Sequence, residues 1–121
     1  MKTESMLLGV AGVCRALAVG NRLNIVRLLA ARSLCVGALA NLLGISAGAV
    51  SQHLRVLRDA GLVEADRRGY FTHYRLAPDA RERVRGMMDG VFAGPEGGAR
   101  RQPKGGKTCA AGKRSAKGRK N

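Results

Sequence analysis

Tryptophan is absent from this 121-residue chain, and tyrosine and phenylalanine occur only twice each. Any core it forms must therefore be aliphatic. Histidine occurs twice and cysteine three times. That supply is too thin for a disulfide framework or a histidine-rich metal centre. No apolar run is long enough to span a bilayer. Met6 to Cys14 is apolar behind Lys2, faintly like a secretion signal, but Glu4 before it, its shortness and Arg15 directly after it argue for a helix instead. There is no glycine-rich phosphate loop, no Ser/Cys–His arrangement and no carboxylate pair suited to a cleft, so enzymatic readings fail. Acidic residues are scarce as well, eight against 22 Lys and Arg, leaving a net charge of +14. Such an excess points to a polyanionic partner.

The charge is uneven. Residues 93–121 hold nine Lys/Arg and one Glu, whereas residues 1–92 hold thirteen and seven. The former stretch also carries seven glycines and almost no apolar residue larger than alanine. It cannot bury enough surface to offset the cost of ordering, and the expectation is a disordered basic tail. It lacks aromatic rings for stacking on unpaired bases, so duplex DNA suits it better than single strands. A solvated extension is the plainer reading. Residues 1–92 are expected to form one small domain, of a size that often gains burial by dimerising.

Within that domain, residues 37–61 read as two helices joined by a tight turn. Leu39, Leu42 and Leu43 recur at helical spacing, Gly44 can end the first helix in the left-handed region, and Ile45 plugs the turn. Ser46 is a suitable N-cap for a second helix with Val50, Leu54 and Leu57 on one face and Ser51, Gln52, Arg55 and Arg58 on another. This is the layout of a helix-turn-helix, whose second helix offers polar side chains to the major groove. Leu62–Arg67 then alternates, Arg68-Gly69 supplies a turn, and Tyr70–Leu76 alternates again. A two-stranded hairpin directly after a helix-turn-helix makes a winged helix, mainly α. Its basic tip, Arg67 and Arg68, suits phosphate contact. A last helix is expected from Pro78 and Asp79, with Val84, Met87, Met88, Val91 and Phe92 on one stripe. At the N-terminus, Leu7, Val10, Cys14 and Leu17 form another.

Several blocks together resemble the ArsR/SmtB family of small winged-helix repressors. They are Ala16-Leu17-Ala18, Asn21–Leu29, Leu34-Cys35-Val36, Leu39-Ala40, Leu43–Ser46, Val50–Leu54, Leu57, Ala60–Val63 and Tyr74-Arg75-Leu76, within residues 5–92. The resemblance implies a homodimer built on the first and last helices. It implies binding to a palindromic operator in double-stranded DNA, in the cytoplasm on the nucleoid, with release when a metal, metalloid or oxidant is sensed. On that basis Ser46, Ser51, Gln52, His53 and Arg55 are expected at the major groove. Arg58, Arg67 and Arg68 are expected on the DNA backbone, although Arg58 could instead pair with Asp59.

The sensor is less legible. Zinc sensors of the family use Asp and His on the last helix, and that helix has Asp79, Glu82 and Asp89 but no His. Thiophilic sensors use Cys-x-Cys at the start of the first helix-turn-helix helix, and here Cys35-Val36-Gly37 keeps only the first cysteine. One thiolate cannot hold a trigonal ion. No cofactor is required by the sequence, and a thiophilic metal or metalloid ion is the one it admits. Cys14 reads as a buried thiol on an apolar stripe, Cys35 as either ligand or small buried residue. Cys109, between Lys107 and Lys113, reads as incidental or reactive. A site joining all three, or a two-cysteine redox switch, stays open. Neither His53 nor His73 is expected to have a Cys or second His close by for metal. The rival reading is an architectural DNA-coating protein that senses nothing.

Overall fold

A computed structural model of the chain describes residues 2–95, with the side chain of Lys2 left aside. The elements run α1 (Lys2–Leu17), α2 (Gly20–Ala31), β1 (Leu34–Cys35), α3 (Val36–Leu43), α4 (Ala47–Asp59), β2 (Val63–Arg68), β3 (Phe71–Leu76) and α5 (Ala80–Phe92). The compact body ends at Val91. The basic stretch from residue 96, with Cys109, Lys107 and Lys113, lies outside the described residues.

The core is aliphatic, as expected from the missing aromatics. Ile25 of α2, Leu39 of α3, and Val50, Leu54 and Leu57 of α4 are fully buried, and among the described residues no polar side chain is buried with them. Burying each such side chain contributes about 1.5–3 kcal/mol before ordering costs. α4 starts as its sequence dictates. The Ser46 hydroxyl accepts a hydrogen bond from the Ala49 amide at 3.1 Å, satisfying one of the helix's unpaired donors. α3 ends at Gly44, in the left-handed region at φ 69°.

The expected two-stranded wing gains a third strand. β3 is central, with β2 and β1 antiparallel on either side. Leu34 faces Tyr74, and Cys35 faces His73. A two-residue strand between helices carries no periodicity, so nothing in the residue pattern announces it. The hairpin turn also moves by one residue. Arg68 pairs with Phe71 at the end of the ladder, and Gly69-Tyr70 forms the loop, with Gly69 at φ 62°. Glycine at the first loop position with positive φ fits a turn whose twist matches the flanking strands. α5 begins at Ala80 rather than at Pro78, and Asp79 precedes it.

α1 is rotated relative to the expected stripe. Val10, Val13 and Ala16 are buried, whereas Leu7 and Cys14 are exposed. The reading of Cys14 as a buried thiol is therefore wrong for the single chain: residues 10, 13 and 16 share the face turned to the core. The end of α1 is completed by α2. Arg22 donates from Nε to the Ala16 carbonyl at 2.7 Å and from Nη2 to that of Arg15 at 3.3 Å, adding donors at the helix end, where the Arg15 carbonyl also accepts from the Ala18 amide at 3.2 Å.

The junction of α4 and the wing depends on Gly61. Its φ is 75°, and an added Cβ would lie 3.0 Å from Nη2 of Arg83. That guanidinium also donates to the Gly61 carbonyl. Gly61→Ala is expected to lower unfolding stability by about 1–2 kcal/mol from the left-handed backbone alone. Gly86→Ala, in the middle of α5 with no atom near the added methyl, is expected to raise it by about 0.5–1 kcal/mol. Urea midpoints at unchanged slope check both.

Candidate nucleic-acid interface

Because Val50, Leu54 and Leu57 turn inward, positions 51, 52, 55 and 58 of α4 must turn outward. Ser51, Gln52, Arg55 and Arg58 are exposed. They line one groove with Asp59 and, from β3, Tyr74. Four polar side chains expected from the sequence thus share one face beside the wing. Tyr74 and Asp59 join them, although the residue pattern marks neither. Tyr74 reads as a strand aromatic until the register places it opposite Ala65. Arg58 makes no ion pair among the described residues, including with Asp59.

The remaining expected residues have other partners. The hydroxyl oxygen of Ser46 caps α4. His53 is half-buried, with Nδ1 3.4 Å from Nη1 of Arg22, so its ring faces the corner where Arg22 ties α1 to α2. The importance of Arg22 was not visible in the sequence, because its acceptors are backbone carbonyls.

The register of the wing separates its two tip arginines. Val63, Ala65 and Arg67 lie on one face of β2 opposite Leu76, Tyr74 and Thr72, whereas Glu64, Asp66 and Arg68 lie on the other opposite Arg75, His73 and Phe71. On that second face Arg68 is 3.0 Å from Asp66, while Arg75 bridges Glu64 at 2.8 Å and Asp66 at 3.2 Å. The Glu64 carboxylate, by hydrogen bond and then by charge, keeps Arg75 more firmly protonated than a free guanidinium. Arg67 makes no such pair and shares its face with Tyr74. Tyr70, at the loop, is fully exposed.

Cys35 immediately precedes α3 as its N-cap residue and is half-buried. A Cβ at Gly37 would lie 4.0 Å from its sulfur. The register also sets Cys35 beside His73, whose Nδ1 is buried without a hydrogen-bond partner. This corrects the expectation that neither histidine lies near a cysteine; the proximity is made by strand pairing across 38 residues. Even so, no group of three or more His, Cys, Asp or Glu among the described residues could hold a metal ion. No single helix among them is long and apolar enough to cross a membrane.

The sequence model of the bacterial regulatory protein arsR family matches residues 20–65, from the start of α2 into β2. The nodulation protein NolR of Rhizobium meliloti is 35% identical over 82 residues, covering 68% of this chain and 67% of NolR. The HTH-type transcriptional regulator Rv0324 of Mycobacterium tuberculosis is 41% identical over 76 residues, 63% of this chain, but the match spans only 34% of that regulator's own length. In structure, the homodimeric winged helix-turn-helix DNA-binding domain of Mb0332 from Mycobacterium bovis matches with a TM-score of 0.63 and 36% identity, over 76% of this chain and 89% of that one.

The two wing arginines give a direct test of the interface. Arg67→Ala is expected to weaken binding to any duplex and to reduce the slope of log K against log salt by about 0.9, the loss of one phosphate contact. Arg68→Ala, which removes a side chain already held by Asp66, is expected to leave that slope unchanged. Titrations at several salt concentrations measure both.

Proposed function

Because the chain belongs to the arsR family of bacterial regulatory proteins, we propose that it is a DNA-binding transcriptional repressor, not an enzyme, acting as a homodimer on a palindromic operator. The observation that carries this reading is the shared outward face of Ser51, Gln52, Arg55, Arg58 and Tyr74. An aliphatic core fixes that face on α4, and the unpaired Arg67 extends it along the wing. Gln52 and Arg55 are the base readers in this proposal, since both have the donors and reach for bidentate contacts to base edges. Arg58 and Arg67 hold backbone. Ser46 supports the helix N-terminus against a phosphate while capping it. His53 and Arg68 serve as supports through Arg22 and Asp66.

Dimerisation is supported by the homodimeric relative and by α1, which leaves Met6, Leu7 and Leu8 exposed. The basic stretch from residue 93 is read as an arm that holds phosphates without reading sequence, on its charge alone.

A thiophilic metal or metalloid ion does not fit the described residues. It needs several thiolates, and Cys35 has glycine, not cysteine, two residues on. We therefore assign the releasing signal to a thiol-reactive agent acting at Cys35. Its position as the N-cap residue of α3 and its pairing beside His73 connect it to both the helix-turn-helix and the wing.

Two outcomes are expected. Gln52→Ala and Arg55→Ala should each narrow operator-over-random preference by about 1–3 kcal/mol, while weak, salt-sensitive binding persists in quantitative footprints. Equal preference in both variants would remove this docking, and broad protection without a short palindrome would mark an architectural protein instead. In the second experiment, N-ethylmaleimide, whose double bond takes up one thiol by addition with no second cysteine needed, is expected to release wild-type protein from DNA by alkylating Cys35. Cys35→Ser should bind equally well and resist release, whereas Cys14→Ser should respond as wild type.

A further inference from the structure

α5 carries three arginines in alternation, at positions 81, 83 and 85. Arg83 is committed to structure: it donates to Asp79 at 3.0 Å and to the Gly61 carbonyl at 2.6 Å. Arg81 and Arg85 are exposed in the single chain, and neither makes an ion pair among the described residues. They stand one helical turn apart, where like charges repel. Both line a groove of about 680 Å³ that is otherwise apolar, with Val26 of α2, Leu62, Leu76 of β3 and Val84 of α5 among its walls. The volume lies within the range of small-molecule sites. None of its lining residues belongs to the groove beside α4.

From this juxtaposition of two unpaired guanidiniums and an apolar floor we propose a binding site for an amphipathic organic anion. The guanidiniums hold its carboxylate, and its apolar body covers Val26, Leu62, Leu76 and Val84. Charge complementarity selects this occupant. Guanidinium forks match a carboxylate bidentately, and the anion relieves the repulsion between Arg81 and Arg85. A DNA phosphate would answer the charge but leave the floor wet. A neutral apolar molecule would cover the floor and leave the charges opposed.

The groove also has a route to the DNA face. Leu62 lies three residues past the end of α4, its amide bonded to the Leu57 carbonyl at 3.0 Å, and its own carbonyl accepts from Ala77, just after β3, at 2.9 Å. An occupant wedged between α2 and Leu62 therefore presses on the base of both the recognition helix and the wing. If it binds one arrangement of these elements better than another, DNA affinity shifts with it. This regulatory consequence rests on the DNA-binding reading above; the binding site itself does not.

The test is calorimetric titration of the full chain with decanoate, below its micelle concentration, against decanol and acetate. Decanoate is expected to bind, with decanol and acetate weaker by at least about tenfold. An Arg81→Gln/Arg85→Gln variant should bind decanoate no better than decanol. Ala30→Phe, which places a large ring at an exposed groove position, should lose both. Equal binding of decanoate and decanol, or a double variant that binds decanoate normally, overturns the site. So does a wild-type chain that ignores decanoate while the double variant loses duplex affinity and salt slope, because the arginines then belong to DNA. If decanoate binds as expected and DNA affinity stays constant, the regulatory role falls. Cys35→Ser should bind decanoate normally, which separates this site from the thiol.

Discussion

The inward lock of α4 is the constraint on which the rest depends. Val50, Leu54 and Leu57 are fully buried against a core that also contains Ile25 and Leu39. No polar side chain among the described residues is buried with them, so the core has no hydrogen-bond pattern to dictate its orientation. Shape and periodicity do that work. Rotating α4 by one residue would expose leucines and bury guanidinium groups, at a cost far above the few kcal/mol by which a small domain is stable. The outward direction of Ser51, Gln52, Arg55 and Arg58 is therefore a consequence of what is buried behind them.

Around that lock the arginines divide into two populations. Arg22 completes the end of α1, Arg83 clasps the turn after α4, and Arg68 and Arg75 neutralise the acids of the wing's outer face. These side chains spend their donors on the protein. Arg55, Arg58, Arg67, Arg81 and Arg85 make no ion pair among the described residues, which leaves their donors for a partner. Composition alone treats all of them as equal contributors to a basic protein. The functional surface is set by which donors remain unspent.

The helix-turn-helix was legible because its signals are local. Gly44 and Ser46 act on their own backbone neighbours, and leucine spacing within α3 and α4 reports one face of each helix. The wing's alternation was also local, but its register was not, since the loop is Gly69-Tyr70 and not the Arg68-Gly69 that the pattern offered. Legibility failed where the deciding partner was remote in sequence. Cys14 and Val13 are equally plausible as members of an apolar stripe, and only the packing of α1 against the body chose Val13. His53 reads from its place on the recognition helix as either a DNA contact or a packed side chain, and only the fold sets its ring 3.4 Å from Arg22, 31 residues away. Arg67 and Arg68 are indistinguishable as neighbours until strand pairing sends them to opposite faces.

By itself, then, the sequence determined the aliphatic character of the core, the end of α3 at Gly44 and the start of α4 at Ser46, the polar face of α4, and the basic excess. Each of these depends on composition or on interactions within a few residues, which periodicity and capping express directly. The tertiary structure alone decided that Leu34-Cys35 would add a third strand, that Cys35 and His73 would be neighbours, and that two arginines of α5 would overlook an apolar groove. Those facts depend on contacts between residues tens of positions apart, and such contacts leave no period in the chain because closure in space, not spacing in sequence, creates them.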